Sequence, residues 1–194
     1  FYQTAGASLL LAALVMCVYM LGRKQGAGPV VRAWIRNFQT SAWFSRHFFL
    51  AFYVGMMLFR TILCRSIWGN PLDHVLGIWG LYNDGNLYTE NFENLVLFLP
   101  FMVLLLWAGE EKEHFKEKSI QDVLILSFKI SFLFSLGIEF SQLFFKLGTF
   151  QLTDLFFNTV GGLLGGIWYW GFDRVRRKIE GAIRRFGGWG VTPW

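Results

Sequence analysis

Five long apolar runs limit what this chain can fold into. A helix needs roughly 20 residues to cross a hydrocarbon core of about 30 Å, and each run approaches that length. With 54% hydrophobic and 19% aromatic residues, the chain of 194 residues is more apolar than an ordinary water-soluble domain. We therefore predict an all-α, polytopic membrane helix bundle of about five transmembrane helices, forming a single membrane domain over 1–194. The predicted spans are 4–22, 47–64, 94–109, 122–145 and 154–172.

The basic residues indicate an orientation for this bundle. Of the 18 lysines and arginines, 14 lie in three segments: 23–46, 110–120 and the part after Asp173. With five spans these segments fall on one side of the membrane, and short cytoplasmic loops carry an excess of basic residues. We therefore expect a multi-pass protein with its N-terminus outside and its C-terminus in the cytoplasm.

Two of the basic segments, 23–46 and 173–186, also have apolar residues at helical spacing opposite their arginines. This pattern predicts amphipathic helices that lie in the membrane interface. Basic interfacial helices bind anionic lipid, so we expect membrane lipids as partners and favour them over nucleic acid. No nucleic-acid partner is expected.

Polar residues form a stripe along the fourth run, and small residues form one along the fifth. Both stripes recur every three or four residues, as neighbours on one face of a helix do. With a short connection between the runs, the two helices should pack as antiparallel neighbours, polar stripe against glycine stripe. The polar stripe is Ser127, Ser131, Ser135, Glu139, Gln142 and Lys146, and the second stripe is Asp154, Asn158, Gly161, Gly162, Gly165 and Gly166.

This packing would bring two carboxylates and two amides together in the outer third of the membrane. An ionised carboxylate in hydrocarbon is costly, so Glu139 should either bind a proton or lie near a cation such as Arg60 or Arg65. The alternative is that the polar groups only hold the helices together. We favour a ligand site formed by Glu139, Gln142, Asp154, Asn158, Asn94, Arg65 and Arg60, with Pro100 and the four glycines in structural roles.

The outer loop, residues 65–93, is long and rich in aromatic residues. A loop of this length and composition is more typical of a lid or a binding element than of a spacer. Within it, Asn83-Asp84-Gly85 predicts a tight turn.

Two segments together resemble the VanZ-like membrane proteins: "ENLVLFLPF" (93–101) and "IEFSQLFFKLGTFQLTDLFFNTVGGLLG" (138–165). The family pattern places an Asn before a Phe-x-Pro-Phe element, then a Glu-x-x-Gln pair, then Asp-x-x-x-Asn followed by glycines. The region of resemblance is 65–166, although Arg65, Asn70 and Pro71 match only loosely. The resemblance implies a bacterial plasma-membrane protein, and the founding member of the family is associated with teicoplanin resistance.

Three functions remain open from the sequence. The first is a cell-envelope protein that binds an amphipathic ligand, such as a lipid-linked peptidoglycan precursor or a lipoglycopeptide. The second is an intramembrane enzyme acting on a lipid headgroup, with His74 beside Asp73 as its outer histidine, and the third is a lipid transporter. The sequence contains no metal-ligand spacing and predicts no cofactor. The glycine faces also allow a homo-oligomer.

Overall fold

The protein is an all-α helix bundle, as the sequence predicts. The computed structural model describes residues 2–22, 30–63, 70, 72–73, 75–80, 82–83, 86–87, 89–110 and 119–186. The helices are α1 (Tyr2–Gly22), α2 (Val30–Thr40), α3 (Ala42–Leu58) with a π-helical turn (Phe59–Leu63), α4 (Glu90–Gly109), α5 (Ile120–Phe145) and α6 (Leu152–Phe186). Two short strands, β1 (Tyr82–Asn83) and β2 (Asn86–Leu87), pair antiparallel. Their register fits the predicted turn, although Asp84 and Gly85 themselves lie outside the described residues.

Each predicted span coincides with a helix. By length and composition, three helical stretches in the described part can cross a membrane, Ala42–Leu63, Glu90–Gly109 and Ile120–Phe145, and Ala5–Leu21 is a shorter apolar helix. The apolar half of α6 is less hydrophobic because it contains Asp154, Asn158 and several glycines. The count of five spans therefore stays a prediction, whereas the membrane helix bundle is confirmed.

The bundle has two packed parts that share α3. Helix α6 lies against α4 and α5, and α1 packs against α3, which also contacts α4. Phe98, Phe101 and Met102 of α4 are at the centre of one apolar cluster. The second cluster joins α1, α2 and α3, with Phe44 and Phe48 at its centre.

Local sequence explains where α5 begins and ends. At its start, the Ser119 side chain and Asp122 form a capping box that satisfies free backbone N–H groups. At its end, Lys146 adopts the left-handed conformation with φ of 55°. This conformation ends α5, and α6 begins at Leu152 after a short connection. The two helices therefore lie side by side, as predicted.

The two predicted interfacial segments differ in their outcome. In the first, α2 is strongly amphipathic: Trp34 and Phe38 pack on the second apolar cluster, while Val31 and Ile35 are exposed. Residues 173–186 are not a separate helix but continue α6 without a break. Nothing in this stretch stops a helix, because it contains no proline and its glycine, Gly181, lies in an interior turn.

Candidate functional site

The predicted packing of serines against glycines is present between α5 and α6. A Cβ at Gly162 would overlap the side chain of Ser131, and one at Gly166 would overlap Ser127. Both serines are fully buried. The absence of a side chain at these glycines therefore sets how closely the two helices approach.

The other two glycines of the stripe face α4, which the sequence did not indicate. A Cβ at Gly161 would overlap the backbone oxygen of Leu95, and one at Gly165 would overlap that of Leu99. Helix α6 therefore lies between α4 and α5, with one glycine pair toward each. Both glycine faces are used inside the chain, so a homo-oligomer, which stays a prediction, would need a different surface.

Five polar residues of α5 are buried inside the bundle: Ser127, Ser131, Ser135, Glu139 and Gln142. Glu139 and Gln142 are each 1% exposed. The backbone N–H of Gln151, in the connection before α6, donates to Glu139 Oε2 at 2.9 Å. Gln142 Nε2 donates to the carbonyl oxygen of Thr61 in the π-helical turn at 2.8 Å. These bonds tie α5 to the α5–α6 connection and to the end of α3.

The polar residues of α6 face two different helices. Asn94 Nδ2 of α4 donates to Asp154 Oδ1 at 2.8 Å. Asn158 Nδ2 donates to Ser135 Oγ of α5 at 2.9 Å. Asp154 and Asn158 are 3% and 4% exposed. These two bonds and those of Glu139 and Gln142 are four separate contacts between elements, and the side chains that make them are here called the polar network (Asn94, Ser135, Glu139, Gln142, Asp154 and Asn158).

A cavity of about 560 Å³ lies beside this network, between the end of α3 and the start of α4. Asn94 lines the cavity and also belongs to the polar network, and Thr61 lines it while accepting the bond from Gln142. Bonds of the polar network therefore hold one lining residue on each side of the cavity, Asn94 of α4 and Thr61 of the π-helical turn. The full lining is Tyr53, Arg60, Thr61, Glu90, Phe92, Glu93, Asn94, Val96, Leu97 and Pro100.

Arg60 lies at this cavity and not in the polar network. Its guanidinium pairs with Glu93 at 3.0 Å, and the two side chains are 58% and 54% exposed. Glu93 also accepts a hydrogen bond from the Thr89 hydroxyl at 3.2 Å. Arg60 is therefore paired with Glu93, and the expectation that Glu139 binds a proton or lies near a cation such as Arg60 or Arg65 stays a prediction.

Part of the outer loop, residues 75–80, folds back onto the same end of the bundle. The backbone N–H of Leu152 at the start of α6 donates to the carbonyl oxygen of Val75 at 2.9 Å. Asn91 Nδ2 at the start of α4 donates to the carbonyl oxygen of Ile78 at 2.7 Å. This segment therefore joins the starts of α4 and α6, next to Asp154.

Two side-chain contacts complete this attachment. Gly77 has a positive φ of 68°, and a Cβ at this position would overlap Thr153. The Trp79 ring lies 5.3 Å from that of Phe156, centroid to centroid, and 6.3 Å from that of Phe157. The segment is thus attached beside the starts of α4 and α6 and is not among the described lining residues of the cavity, and its function as a lid or binding element stays a prediction.

Sequence analysis missed a charged cluster at the opposite end of the bundle. Glu110 at the end of α4 is paired with Arg46 of α3, at 3.0 Å, and with Arg176 of α6. Asp173 is paired with Arg176 at 2.9 Å and with Arg177 at 2.7 Å. The available signal was the position of Glu110 directly after an apolar run.

This cluster also fixes the charge of its central arginine. Burial opposes the charged form of Arg176, but the hydrogen bonds and negative charges of Glu110 and Asp173 raise its pKa above the ordinary value. Arg176 therefore remains a cation at any physiological pH and holds α4 to the extension of α6.

Three of the predicted residues, Arg65, Pro71 and His74, lie outside the described residues. The structure describes two others. Lys146 is exposed at the end of α5. Pro100 is inside α4 and lines the cavity, and its predicted structural role stays a prediction.

Comparison with known proteins identifies the family. The model of the VanZ/LLP1 family matches residues 8–173. The chain belongs to the VanZ/LLP1 family. The match extends the resemblance seen in 65–166 over all but the start of α1 and the end of α6, so α1, α2 and α3 are part of the family's fold.

A curated relative supports this membership. Protein VanZ from Enterococcus faecium is 33% identical to the chain over 78 residues, which are 40% of this chain and 42% of that protein. The alignment thus spans about two fifths of the relative. No solved structure matches the chain.

Proposed function

We propose that this protein binds an amphipathic ligand of the bacterial cell envelope in the cavity between α3 and α4, and so contributes to resistance against teicoplanin and related glycopeptides. The ligand is a lipid-linked wall precursor or a lipoglycopeptide. Membership of the VanZ/LLP1 family supports the link to glycopeptides, since the founding member is associated with teicoplanin resistance.

The observation that carries the proposal is the cavity itself. Its volume of about 560 Å³ falls within the range typical of small-molecule sites, roughly 300–1,000 Å³. Charged and amide groups line it beside apolar ones, which is the combination that an amphipathic molecule requires. Bonds of the polar network hold Asn94 on one side of the cavity and the Thr61 carbonyl on the other.

The hydrogen bonds of the buried carboxylates support a positioning role for them. Glu139 and Asp154 accept hydrogen bonds from Gln151 and Asn94 inside the bundle. We propose that they position the cavity wall and do not contact the ligand directly. Replacing both by alanine would then weaken binding through loss of folding, so that experiment does not test the ligand site.

A variant that fills the cavity is a sharper test. Val96 lines the cavity and is 45% exposed, so Val96→Trp adds volume there without displacing a buried side chain. We expect native mass spectrometry of the detergent-extracted protein to show loss of co-purifying lipid, and cells that express the variant to lose teicoplanin resistance. Leu133→Trp, at a position on α5 that is 65% exposed and outside the cavity lining, is the matched control.

These experiments distinguish a ligand-binding protein from an enzyme. Equal ligand retention by Val96→Trp and Leu133→Trp would contradict the cavity as the binding site. Conversion of a lipid-linked substrate by the purified wild-type protein would instead favour the enzyme, for which the two carboxylates are the supporting feature.

A further inference from the structure

One wall of the cavity contains a break in the hydrogen bonding of α4. Pro100 lies inside this helix, and both Pro100 and Val96 line the cavity. Proline has no backbone N–H, so the carbonyl oxygen of Val96 lacks the donor that residue 100 would provide in a regular α-helix. Residues four apart lie on the same face of a helix. This carbonyl is therefore situated between two lining residues, at the cavity wall.

Two other lining residues have backbone carbonyls that receive a side-chain donor. The Tyr53 hydroxyl donates to the carbonyl oxygen of Leu97 at 2.9 Å. Gln142 Nε2 donates to the carbonyl oxygen of Thr61 at 2.8 Å. Among the described residues, by contrast, no side chain and no backbone group outside α4 donates to the carbonyl of Val96. The chain thus supplies donors on both sides of this carbonyl and leaves the carbonyl itself without one.

The position of Val96 makes an unpaired carbonyl unfavourable. Val96 is six residues from the start of α4 at Glu90, about 9 Å at 1.5 Å per residue, and its neighbours Leu97 and Pro100 are apolar. A backbone group without a partner is costly in hydrocarbon, where water does not replace the lost bond. Val96 is also 45% exposed, so a molecule in the cavity can reach it. The missing donor is therefore expected from the occupant of the cavity.

We infer that the bound amphiphile has a hydrogen-bond donor, an amide N–H or a hydroxyl, at the start of its apolar chain, and that this donor bonds to the carbonyl oxygen of Val96. The inference rests on the proposed function, because it needs the cavity to be the ligand site. It narrows the ligand by chemistry. An amide-linked chain or a hydroxylated lipid has such a donor, whereas a chain joined through an ester or a phosphate has none at that point.

The experiment compares two uncharged amphiphiles that differ in one group. N-dodecanoylglucamine has the amide N–H, and N-dodecanoyl-N-methylglucamine has a methyl group in its place. Native mass spectrometry of the whole chain, purified in a maltoside detergent, measures the binding of each. We expect the N–H form to bind about two- to tenfold more tightly, as for one hydrogen bond of ordinary strength. Equal binding of the two forms would overturn the inference, since the carbonyl would then not select the ligand.

Pro100→Ala assigns the preference to the carbonyl of Val96. Alanine provides a backbone N–H that can bond to this oxygen, so the variant should bind both forms alike, as the wild type binds the N-methyl form. Val103→Ala, on α4 outside the described cavity lining, is the matched control and should retain the preference. A preference that survives in Pro100→Ala would contradict the assignment. The comparison on the wild-type protein needs no variant, so it decides even if Pro100→Ala does not fold.

A third amphiphile distinguishes the two kinds of donor. The N-methyl form with a β-hydroxyl group on its acyl chain lacks the amide N–H but regains a donor close to it. Tighter binding than the N-methyl form without the hydroxyl supports a hydroxylated lipid as the ligand. Absence of this gain, with the N–H form still preferred, supports an amide-linked chain.

Val96→Trp separates this inference from the proposed function. Equal binding of the N–H and N-methyl forms that Val96→Trp abolishes would overturn the inference and leave the cavity as the ligand site. Binding of both forms that is the same in Val96→Trp and Leu133→Trp would contradict the cavity itself, and with it both proposals.

Discussion

Gly162 and Ser131 show how single residues set the spacing of the helices. Both are buried at the contact of α5 with α6, and the Ser131 hydroxyl has no hydrogen-bond partner among the described residues. Its contribution is therefore one of size and shape. Because the sequence repeats small residues every four positions on both helices, this contact could be predicted from the sequence alone.

Gly162→Ala should destabilise the protein by about 1–3 kcal/mol, since an added methyl group in a well-packed contact forces the helices apart. Gly137→Ala is the matched control, because a Cβ at Gly137 meets nothing within 4 Å. That change should be neutral or slightly stabilising, as alanine is favoured over glycine in helices by roughly 1 kcal/mol. Thermal unfolding in detergent measures both, and equal melting temperatures would contradict the close contact.

The hydrogen-bond partners of the polar network were harder to predict than its members. Glu139, Gln142, Asp154 and Asn158 follow from helical spacing, and all four are buried as expected. Their partners include the backbone of Gln151 and Thr61, which any residue type could provide. A pattern of residue types contains no information about such bonds.

At the scale of elements, helices were predicted well because apolar runs of membrane length leave the backbone few other ways to satisfy its hydrogen bonds. Helix ends were predicted less well. The α4 helix begins at Glu90, four residues before the predicted span, because its first turn is polar and extends past the apolar run. Residues 173–186 were predicted as an interfacial helix, and they continue α6 because the sequence contains no helix-breaking residue there.

The segment 75–80 allows a prediction at this scale. Gly77→Ala introduces a side chain at positive φ and against Thr153, so it should detach the segment from the starts of α4 and α6. Hydrogen–deuterium exchange of the Leu152 amide, which donates to Val75, should become faster while amides in the middle of α5 are unchanged.

Gly80→Ala is the control for this experiment, because the nearest atom to its Cβ would be 3.3 Å away and its φ is not in the left-handed region. Exchange at Leu152 should then stay near the wild-type rate. If Gly77→Ala leaves that rate unchanged, the segment is not held in place through this contact.

At the scale of the whole molecule, polar groups gather at both ends of the bundle and differ in kind. The cavity end combines buried amides and carboxylates with an exposed ion pair. The other end contains the cluster of Arg46, Glu110, Asp173 and Arg176, which joins α3, α4 and α6. The ion pair at the cavity end is thus more than half exposed, whereas the cluster at the other end joins three helices.

The extension of α6, residues 173–186, supports the predicted orientation of this bundle in the membrane. A helix of 35 residues is about 52 Å long at 1.5 Å per residue, more than the roughly 40–45 Å of a bilayer with its headgroups. Its exposed apolar side chains Trp168, Phe172, Val175, Ile179 and Ile183 continue along one face past the charged cluster. Tilting would keep this face in lipid while the flanking arginines reach anionic headgroups, as expected on the cytoplasmic side.

We therefore expect the α6 extension to be cytoplasmic and the start of α4 to be outside. In a background in which Cys17 and Cys64 are replaced by serine, Thr89→Cys and Arg177→Cys place single thiols at opposite ends of the bundle, both on exposed side chains. A membrane-impermeant thiol reagent should label the cysteine at position 89 in intact cells and that at position 177 only after permeabilisation. The reverse pattern would place the cavity on the cytoplasmic side, where an externally added glycopeptide could not reach it, and the proposed ligand would have to be a cytoplasmic precursor.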